Sequence, residues 1–140
     1  MADETEVLID LNIILDVLQK RNPFYSTSVQ VLAGVETGLM TGFLAAHSVT
    51  TLFYLIQKDQ SAAAARAAIT ELLQFLQIAP VNQSTIDQAL NLDYQDFEDA
   101  VQMIAALQCK ADYLITHNIS DYQPPLVPVL KPVELVALIE

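Results

Sequence analysis

The side chains most suited to chemistry in this sequence form three groups of acidic and polar residues that lie far apart along the chain. Asp10 follows a short apolar run, with Asn12 two residues further on. Asp96 and Asp99 stand three apart at the start of an amphipathic segment, where both project from roughly the same face of a helix. The third group comprises Thr116, Asn118 and Asp121. We expect the three groups to meet in one pocket.

The ligand types in this set indicate a divalent cation. Five acids fall within thirteen residues that contain no basic side chain: Asp87, Asp93, Asp96, Glu98 and Asp99. A cation relieves the repulsion among such charges. Hard oxygen ligands without a nearby cysteine bind Mg²⁺ or Mn²⁺ better than Zn²⁺. Such an ion polarises a phosphodiester and lowers the pKa of a bound water that attacks phosphorus, so no side-chain nucleophile is needed.

Simpler roles are open for several of these side chains. An aspartate at the end of a strand, such as Asp10, also caps the helix that follows it. Asp16, Asp87 and Asp93 are interpreted as solvated acids. His117 is interpreted as a loop side chain and not as a ligand. A single site therefore requires that all three groups converge at one edge of the fold.

The apolar pattern predicts strands that alternate with helices. Short apolar or β-branched runs predict five strands, at 6–9, 41–45, 78–81, 113–115 and 127–130. This alternation is typical of a three-layer α/β/α domain with a central, mostly parallel sheet of about five strands. Ligands of such sheets gather at the carboxyl ends of the strands, where Asp10 and Asn118 are predicted to lie.

Helical spacing of apolar residues predicts the segments between the strands. The predicted helices cover 13–18, 26–36, 49–56, 62–76, 84–90, 96–109 and 132–139. Ser48 and Ser61 are the expected N-caps of two of them. In the helix over 96–109, the residues expected to face the core are Ala100, Met103, Ile104 and Leu107. We expect one domain over residues 1–140.

The composition excludes several classes of protein. The 140 residues carry 17 acidic and 6 basic side chains, a net charge of −11, and 53% of them are hydrophobic. This content is too apolar for a disordered chain, and the scattered basic residues exclude a general nucleic-acid-coating protein. The acidic N-terminus does not resemble a signal peptide, and polar residues interrupt the uncharged segment 37–57, so neither secretion nor a membrane span is predicted. The lone Cys109 fits a reducing, cytoplasmic setting.

Three segments resemble the motifs of the PIN domain, a family of small nucleases that includes the VapC-type toxins. They are VLIDLNIILD at 7–16, DFEDAVQMIAAL at 96–107 and DYLITHNISDY at 112–122. The resemblance implies a Mg²⁺- or Mn²⁺-dependent endoribonuclease in which Asp10, Asp99 and Asp121 are catalytic residues and metal ligands. By the same resemblance, Asp96 is a further metal ligand. The residues that would line the pocket are Asn12, Thr51, Thr116 and Asn118.

One position departs from the family pattern. PIN domains usually place a glutamate at the start of the third helix, and the segment TTLFYLIQK puts Thr51 there. Because threonine is a weak neutral ligand, metal affinity should fall. Glu98 substitutes for the missing carboxylate only if the helix register allows it. Two functions therefore stay open, a ribonuclease with reduced activity and an inactive PIN fold that binds nucleic acid or protein.

The remaining expectations concern another enzyme class and the partners. A phosphatase of the haloacid-dehalogenase kind also begins with an aspartate after its first strand, but it needs a second aspartate where Asn12 stands. The expected substrate is single-stranded or structured RNA. The apolar content predicts a homodimer, because a second copy would cover apolar surface. The family resemblance implies an antitoxin protein as partner, and no membrane partner is expected.

Overall fold

The computed structural model describes residues 4–139, in which strands alternate with helices. The strands are β1 (Thr5–Ile9), β2 (Met40–Ala45), β3 (Leu76–Ala79), β4 (Tyr113–Ile115) and β5 (Val129–Leu130). The helices are α1 (Leu11–Leu18), α2 (Tyr25–Glu36), α3 (Ala46–Asp59), α4 (Ala62–Leu72), α5 (Gln83–Ala89), α6 (Phe97–Gln108) and α7 (Pro132–Ile139), and a 3₁₀ turn follows β4 at Ile119–Asp121. The expectation about secretion rests partly on residues 1–3, which lie outside the described residues.

The five strands form one sheet in the order β3-β2-β1-β4-β5, and every neighbouring pair is parallel. This confirms the expected α/β/α architecture with a central parallel sheet. The strand β1 lies in the middle, and Val7, Leu8 and Ile9 are completely buried. The carboxyl ends of β1 and β4 are therefore neighbours at one edge of the sheet, although the two strands are about a hundred residues apart in sequence.

Helices cover both faces of the sheet. Successive apolar side chains of β1 point to opposite faces, so each face needs a cover. Val7 and Ile9 belong to the core under α1, α2, α3, α4 and α7, whereas Leu8 packs with Met103 of α6 on the other face. The helix α5 packs beside α6 through a smaller apolar cluster that includes Ala89 and Ile104. The sheet is thus rigidly sandwiched, and its carboxyl edge can hold side chains in fixed positions.

Three local predictions are wrong. Ser48 does not cap α3, which begins after Ala45. Instead Ser48 is buried one turn inside the helix. The helix predicted over 62–76 ends at Leu72, because Leu76 pairs with Gly42 in the sheet. Tertiary pairing overrides helical spacing there.

The third wrong prediction concerns the inward face of α6. Leu107 is 41% exposed, whereas Gln102 is buried. The amide of Gln102 has polar partners inside the protein, so its burial costs little.

The segment 37–57 contributes β2 and most of α3, in agreement with the prediction that it does not span a membrane. Within residues 4–139, no helix combines the length and the apolar character that crossing a bilayer requires.

Candidate active site

Asp10 lies directly after β1, and both of its carboxylate oxygens accept hydrogen bonds. Oδ1 accepts from the backbone N–H of Asn12 at 3.1 Å, so Asp10 is also the N-cap of α1. Oδ2 accepts from the hydroxyl of Thr116 at 2.9 Å. The backbone N–H of Asp10 donates to the carbonyl of Ile115 at 3.0 Å, which continues the pairing of β1 with β4. The carboxylate is therefore held in one orientation.

Thr116 positions Asp10 from behind. Its side chain is completely buried at the end of β4, and its oxygen accepts from the backbone N–H of Asn118 at 3.2 Å while its hydroxyl donates to Asp10. Thr116 does not line the pocket described below, in contrast to the other predicted site residues. Its role in the structure is to connect the ends of two strands through one hydroxyl group.

Asp96 and Asp99 lie at the start of α6, as the spacing predicts. Asp96 is the N-cap, and its Oδ1 accepts from the backbone N–H groups of Glu98 at 2.8 Å and Asp99 at 3.3 Å. Asp99 sits in the first turn, where the helix dipole favours negative charge. The side chain of Asp99 is half-buried and accepts a hydrogen bond from the hydroxyl of Tyr122 at 3.1 Å.

A chain of buried polar groups supports Asp99, and sequence reasoning missed it. The Ser48 hydroxyl donates to Oε1 of Gln102 at 3.5 Å, and Nε2 of Gln102 donates to the Tyr122 hydroxyl at 2.8 Å. All three side chains are at most 5% exposed. The available signal was Gln102, a polar residue among the apolar residues of α6. Burial raises the pKa of Tyr122 strongly, and the charges of Asp10 and Asp99 add to this effect, so the hydroxyl stays a donor.

One pocket collects nearly all of the predicted site residues. It has a volume of about 340 Å³ and lies at the carboxyl edge of the sheet. Of the predicted residues it is lined by Asp10, Asn12, Thr51, Asp96, Asp99, Asn118 and Asp121. We call it the carboxylate pocket. The three groups therefore converge, even though Asn12, Asp96, Asn118 and Asp121 are themselves exposed.

The electrostatics of the carboxylate pocket are unfavourable to its own charges. Burial raises the pKa of Asp99 to about 6, and the charges of Asp96, Asp10 and Asp121 add to the rise while the Tyr122 hydroxyl opposes it. Burial also raises the pKa of Asp10, against the hydrogen bonds from Asn12 and Thr116. Among the residues that the structure describes, no lysine or arginine lines this pocket. Positive charge from a lysine or arginine is therefore absent from the described lining of this pocket.

The donor set of the pocket fits a hard divalent cation. Carboxylates and an amide suit Mg²⁺ or Mn²⁺, and Mg²⁺ usually keeps several waters and binds through one or two carboxylates. Within residues 4–139, no group of three or more His, Cys, Asp or Glu side chains is arranged to hold a metal ion by itself. A hydrated ion bound by few direct ligands agrees with both observations.

Thr51, which is expected to stand where the family usually has a glutamate, lines the same pocket from α3. Glu98 and His47 also line it, although Glu98 is exposed. Burial lowers the pKa of His47, and a backbone group and the charge of Glu98 oppose this shift. Nδ1 of His47 is buried and has no hydrogen-bond partner in the described part of the chain. A carboxylate is thus present near Thr51, but it comes from α6.

Two further acidic residues, Asp16 and Asp87, lie outside the carboxylate pocket. The interpretation of Asp16 as a solvated acid is wrong, because Asp16 is 1% exposed. Its Oδ2 lies 2.6 Å from Nε2 of His117 and accepts from the Ser28 hydroxyl at 2.9 Å. His117 is a loop side chain, as expected, but the loop brings it onto this buried carboxylate. Asp87 is exposed on α5, in agreement with a solvated acid.

Comparison with known proteins identifies relatives of the same fold. The sequence pattern of the PIN domain matches residues 6–120. Ribonuclease VapC1 of Aquifex aeolicus (strain VF5) is 23% identical over 126 residues, which make up 86% of this chain and 87% of the relative. A solved toxin-antitoxin complex from Klebsiella pneumoniae gives a TM-score of 0.69 at 20% identity, over 90% of this chain and 97% of that chain. The sarcin-ricin loop cleaving toxin VapC20 of Mycobacterium tuberculosis gives a TM-score of 0.62 at 15% identity, over 77% and 86% of the two chains.

The match to the family pattern begins in β1 and ends in the 3₁₀ turn after β4. It therefore spans the elements that supply Asp10, Thr51, Asp99 and Asn118 to the carboxylate pocket. Since this match covers most of the chain and the structure has the expected five-stranded parallel sheet, the chain belongs to the PIN domain family.

Proposed function

We propose that this protein is a divalent-metal-dependent endoribonuclease that hydrolyses RNA phosphodiesters with water as the nucleophile. The observation that carries the proposal is the convergence of Asp10, Asp96, Asp99 and Asp121 on one pocket that has no lysine or arginine among its described lining residues. The names of two relatives support it, since one is a ribonuclease and another cleaves the sarcin-ricin loop.

In this proposal Asp10 and Asp99 hold the ion, with Asp121 and Asp96 as further ligands or as partners of its waters. When bound, Mg²⁺ or Mn²⁺ supplies electrostatic stabilisation of the phosphate and lowers the pKa of water. The chain supplies the orientation of the ligands. The hydroxyl groups of Thr116 and Tyr122 donate hydrogen bonds that fix Asp10 and Asp99, respectively. Asn12 and Asn118 offer neutral amides at the rim, where they can hydrogen-bond to RNA without adding repulsion.

The deciding experiment compares cleavage of single-stranded RNA by wild type, Asp10→Asn and Asp99→Asn, each purified free of contaminating nuclease. We expect either substitution to lower the rate at least about 100-fold in Mg²⁺ or Mn²⁺, because each removes a charged ligand. Asp87→Asn is the matched control, since Asp87 is exposed on α5 and outside the pocket. Equal rates for all four proteins would contradict the proposal.

A second candidate function is an inactive PIN fold that binds nucleic acid or a protein, and Thr51 is the observation that favours it. The two functions differ in their response to the ion. Cleavage by the wild type at ordinary Mg²⁺ concentration would contradict the inactive fold. If the wild type is inactive, Thr51→Glu separates a weakened site from one that never worked, because the new carboxylate faces the same pocket.

The partners of this chain are part of the proposal. The relative from Klebsiella pneumoniae is a toxin-antitoxin complex, which supports an antitoxin protein as partner here. The homodimer stays a prediction. It is compatible with the large apolar side chains exposed near α2 and α7, which include Leu39, Val133 and Leu138. The cytoplasmic setting and the single domain over residues 1–140 also stay predictions.

A further inference from the structure

A second hollow adjoins the carboxylate pocket at the same edge of the sheet. Its volume is about 470 Å³, within the range of ligand-binding clefts. It shares the lining residues Asn12 and Asn118 with the carboxylate pocket, so the two hollows are adjacent. Its other lining residues are Asp16, Arg21, Asn22, Phe24 and His117. We call it the aromatic hollow.

The aromatic hollow differs from the carboxylate pocket in charge. Arg21 lines it, whereas the described lining of the carboxylate pocket includes no lysine or arginine. The guanidinium donates to Oε1 of Gln19 at 2.9 Å and to Oδ1 of Asn12 at 3.4 Å. A guanidinium carries five N–H donors, so these two contacts leave further donors for a phosphate. Arg21 therefore offers a cation beside a strongly acidic site.

The hollow also contains an aromatic surface that the protein holds in place. Phe24 is 44% exposed, and its ring centroid lies 4.0 Å from that of His117 at a tilt of 33°. His117 is fixed in turn by the buried carboxylate of Asp16 at 2.6 Å, which also accepts from Ser28. A half-exposed phenylalanine on a fixed ring is the type of surface on which unpaired bases stack.

From this arrangement we propose that the aromatic hollow binds one nucleotide of single-stranded RNA next to the phosphodiester in the carboxylate pocket. The base stacks on Phe24, the phosphate is contacted by Arg21, and Asn12 and Asn118 lie at the passage between the two hollows. This inference rests on the proposed function, because it assumes that RNA is the substrate. It gives a chain with a net charge of −11 a local contact for RNA that does not need a basic face.

The test measures binding separately from cleavage. A fluorescent single-stranded RNA oligonucleotide is titrated with protein in Ca²⁺, an oxygen-binding ion of flexible geometry, and anisotropy gives the Kd while gel analysis checks that the oligonucleotide stays intact. We expect Phe24→Ala to weaken binding about tenfold or more, because one stacked base is lost. Phe24→Tyr should keep the wild-type Kd, because tyrosine also offers an aromatic ring. Arg21→Gln should lower the slope of log Kd against log salt by about 0.7, as expected for one lost phosphate contact on a single strand.

Tyr54→Ala is the matched control, because Tyr54 is 60% exposed on α3 and lines neither hollow. Its Kd should equal that of wild type, and thermal melting should show that every variant is folded. If Phe24→Ala and Arg21→Gln both bind with the wild-type Kd and salt slope, the subsite is overturned while the nuclease proposal stands. If binding depends on Phe24 and no RNA is cleaved, the subsite is supported and the proposed nuclease activity fails.

Discussion

Two regions at the same edge of the sheet handle buried aspartates in opposite ways. Asp16 is almost completely buried, and the chain itself supplies its partners, His117 and the Ser28 hydroxyl. Asp10 and Asp99 are less buried, but they line one pocket whose described lining contains no lysine or arginine. The first arrangement is complete within the fold, whereas in the proposed function a bound cation completes the second.

This difference separates structural from chemical roles. A buried charge with its partners in place stabilises one conformation and locks the surrounding side chains, here the ring of His117 under Phe24. Carboxylates that raise one another's pKa store repulsion that ligand binding releases. The same residue type, a few residues apart on β1 and α1, thus serves two purposes because the environments differ.

The largest expected effect on stability follows loss of the contact between Asp16 and His117. Asp16→Ala should lower the free energy of unfolding by about 3 kcal/mol, because it removes the acceptor of Ser28 and the partner of His117 and leaves a cavity. Urea denaturation at pH 7 measures the change. Asp87→Ala is the control and should stay within about 0.5 kcal/mol of wild type, since Asp87 is exposed. A similar small change for Asp16→Ala would mean that its partners do not matter to stability.

A smaller effect is expected for Thr116, whose hydroxyl connects the ends of β1 and β4. Thr116→Val keeps the shape of the side chain but removes the hydroxyl that donates to Asp10, so the unfolding free energy should fall by about 1–2 kcal/mol. The cleavage rate should fall about tenfold through kcat, with KM little changed, because Asp10 loses its orientation. Thr116→Ser should restore both quantities. Failure of serine to restore the rate would show that the hydroxyl is not the relevant group.

The smallest expected change has the opposite sign. In metal-free protein, Asp99→Asn should raise the unfolding free energy at pH 7.5 by about 1 kcal/mol. This is less than the energy that corresponds to the full pKa rise, because Asp99 is half-exposed and solvent screens its charge. The pKa of Asp99 rises to about 6 on folding, so the folded state binds more protons than the unfolded state between about pH 4 and 6. Wild-type stability should therefore fall as the pH rises through this window, and the advantage of the variant should vanish below it.

The same two proteins can also be compared with Mn²⁺ present. Added Mn²⁺ should raise the melting temperature of wild type and leave that of Asp99→Asn nearly unchanged, because an ion stabilises only the state that binds it. The two proteins should then exchange their order of stability at pH 7.5. If Mn²⁺ stabilises both proteins equally, Asp99 is not part of an ion site.

Much of the fold could be predicted because its signals are local. The apolar run that ends at Ile9 and the apolar spacing of α6 each belong to one element, and the alternation of elements indicates a parallel sheet. The parallel sheet in turn places Asp10 beside Asn118. The position of Leu76 was wrong because its strand pairing with Gly42 is a tertiary interaction that helical spacing does not report.

The support of the site was harder to predict than its acids. Sequence spacing indicated Asp10, Asp99 and Asp121, since carboxylates after strands and at helix starts are recognisable. The chain from Ser48 through Gln102 to Tyr122 joins three separate elements, and no periodicity relates them. The burial of Asp16 depends on His117, 101 residues away, so a solvated acid was the natural interpretation.

The bond between Thr116 and Asp10 spans 106 residues, which fixes when the site can exist during synthesis. A ribosome makes Asp10 well before Thr116, so Asp10 must wait for β4 before this hydrogen bond orients its carboxylate. Fragments that stop before β4 contain most of the helices and none of the assembled pocket. Assembly of the carboxylate pocket therefore follows the synthesis of β4.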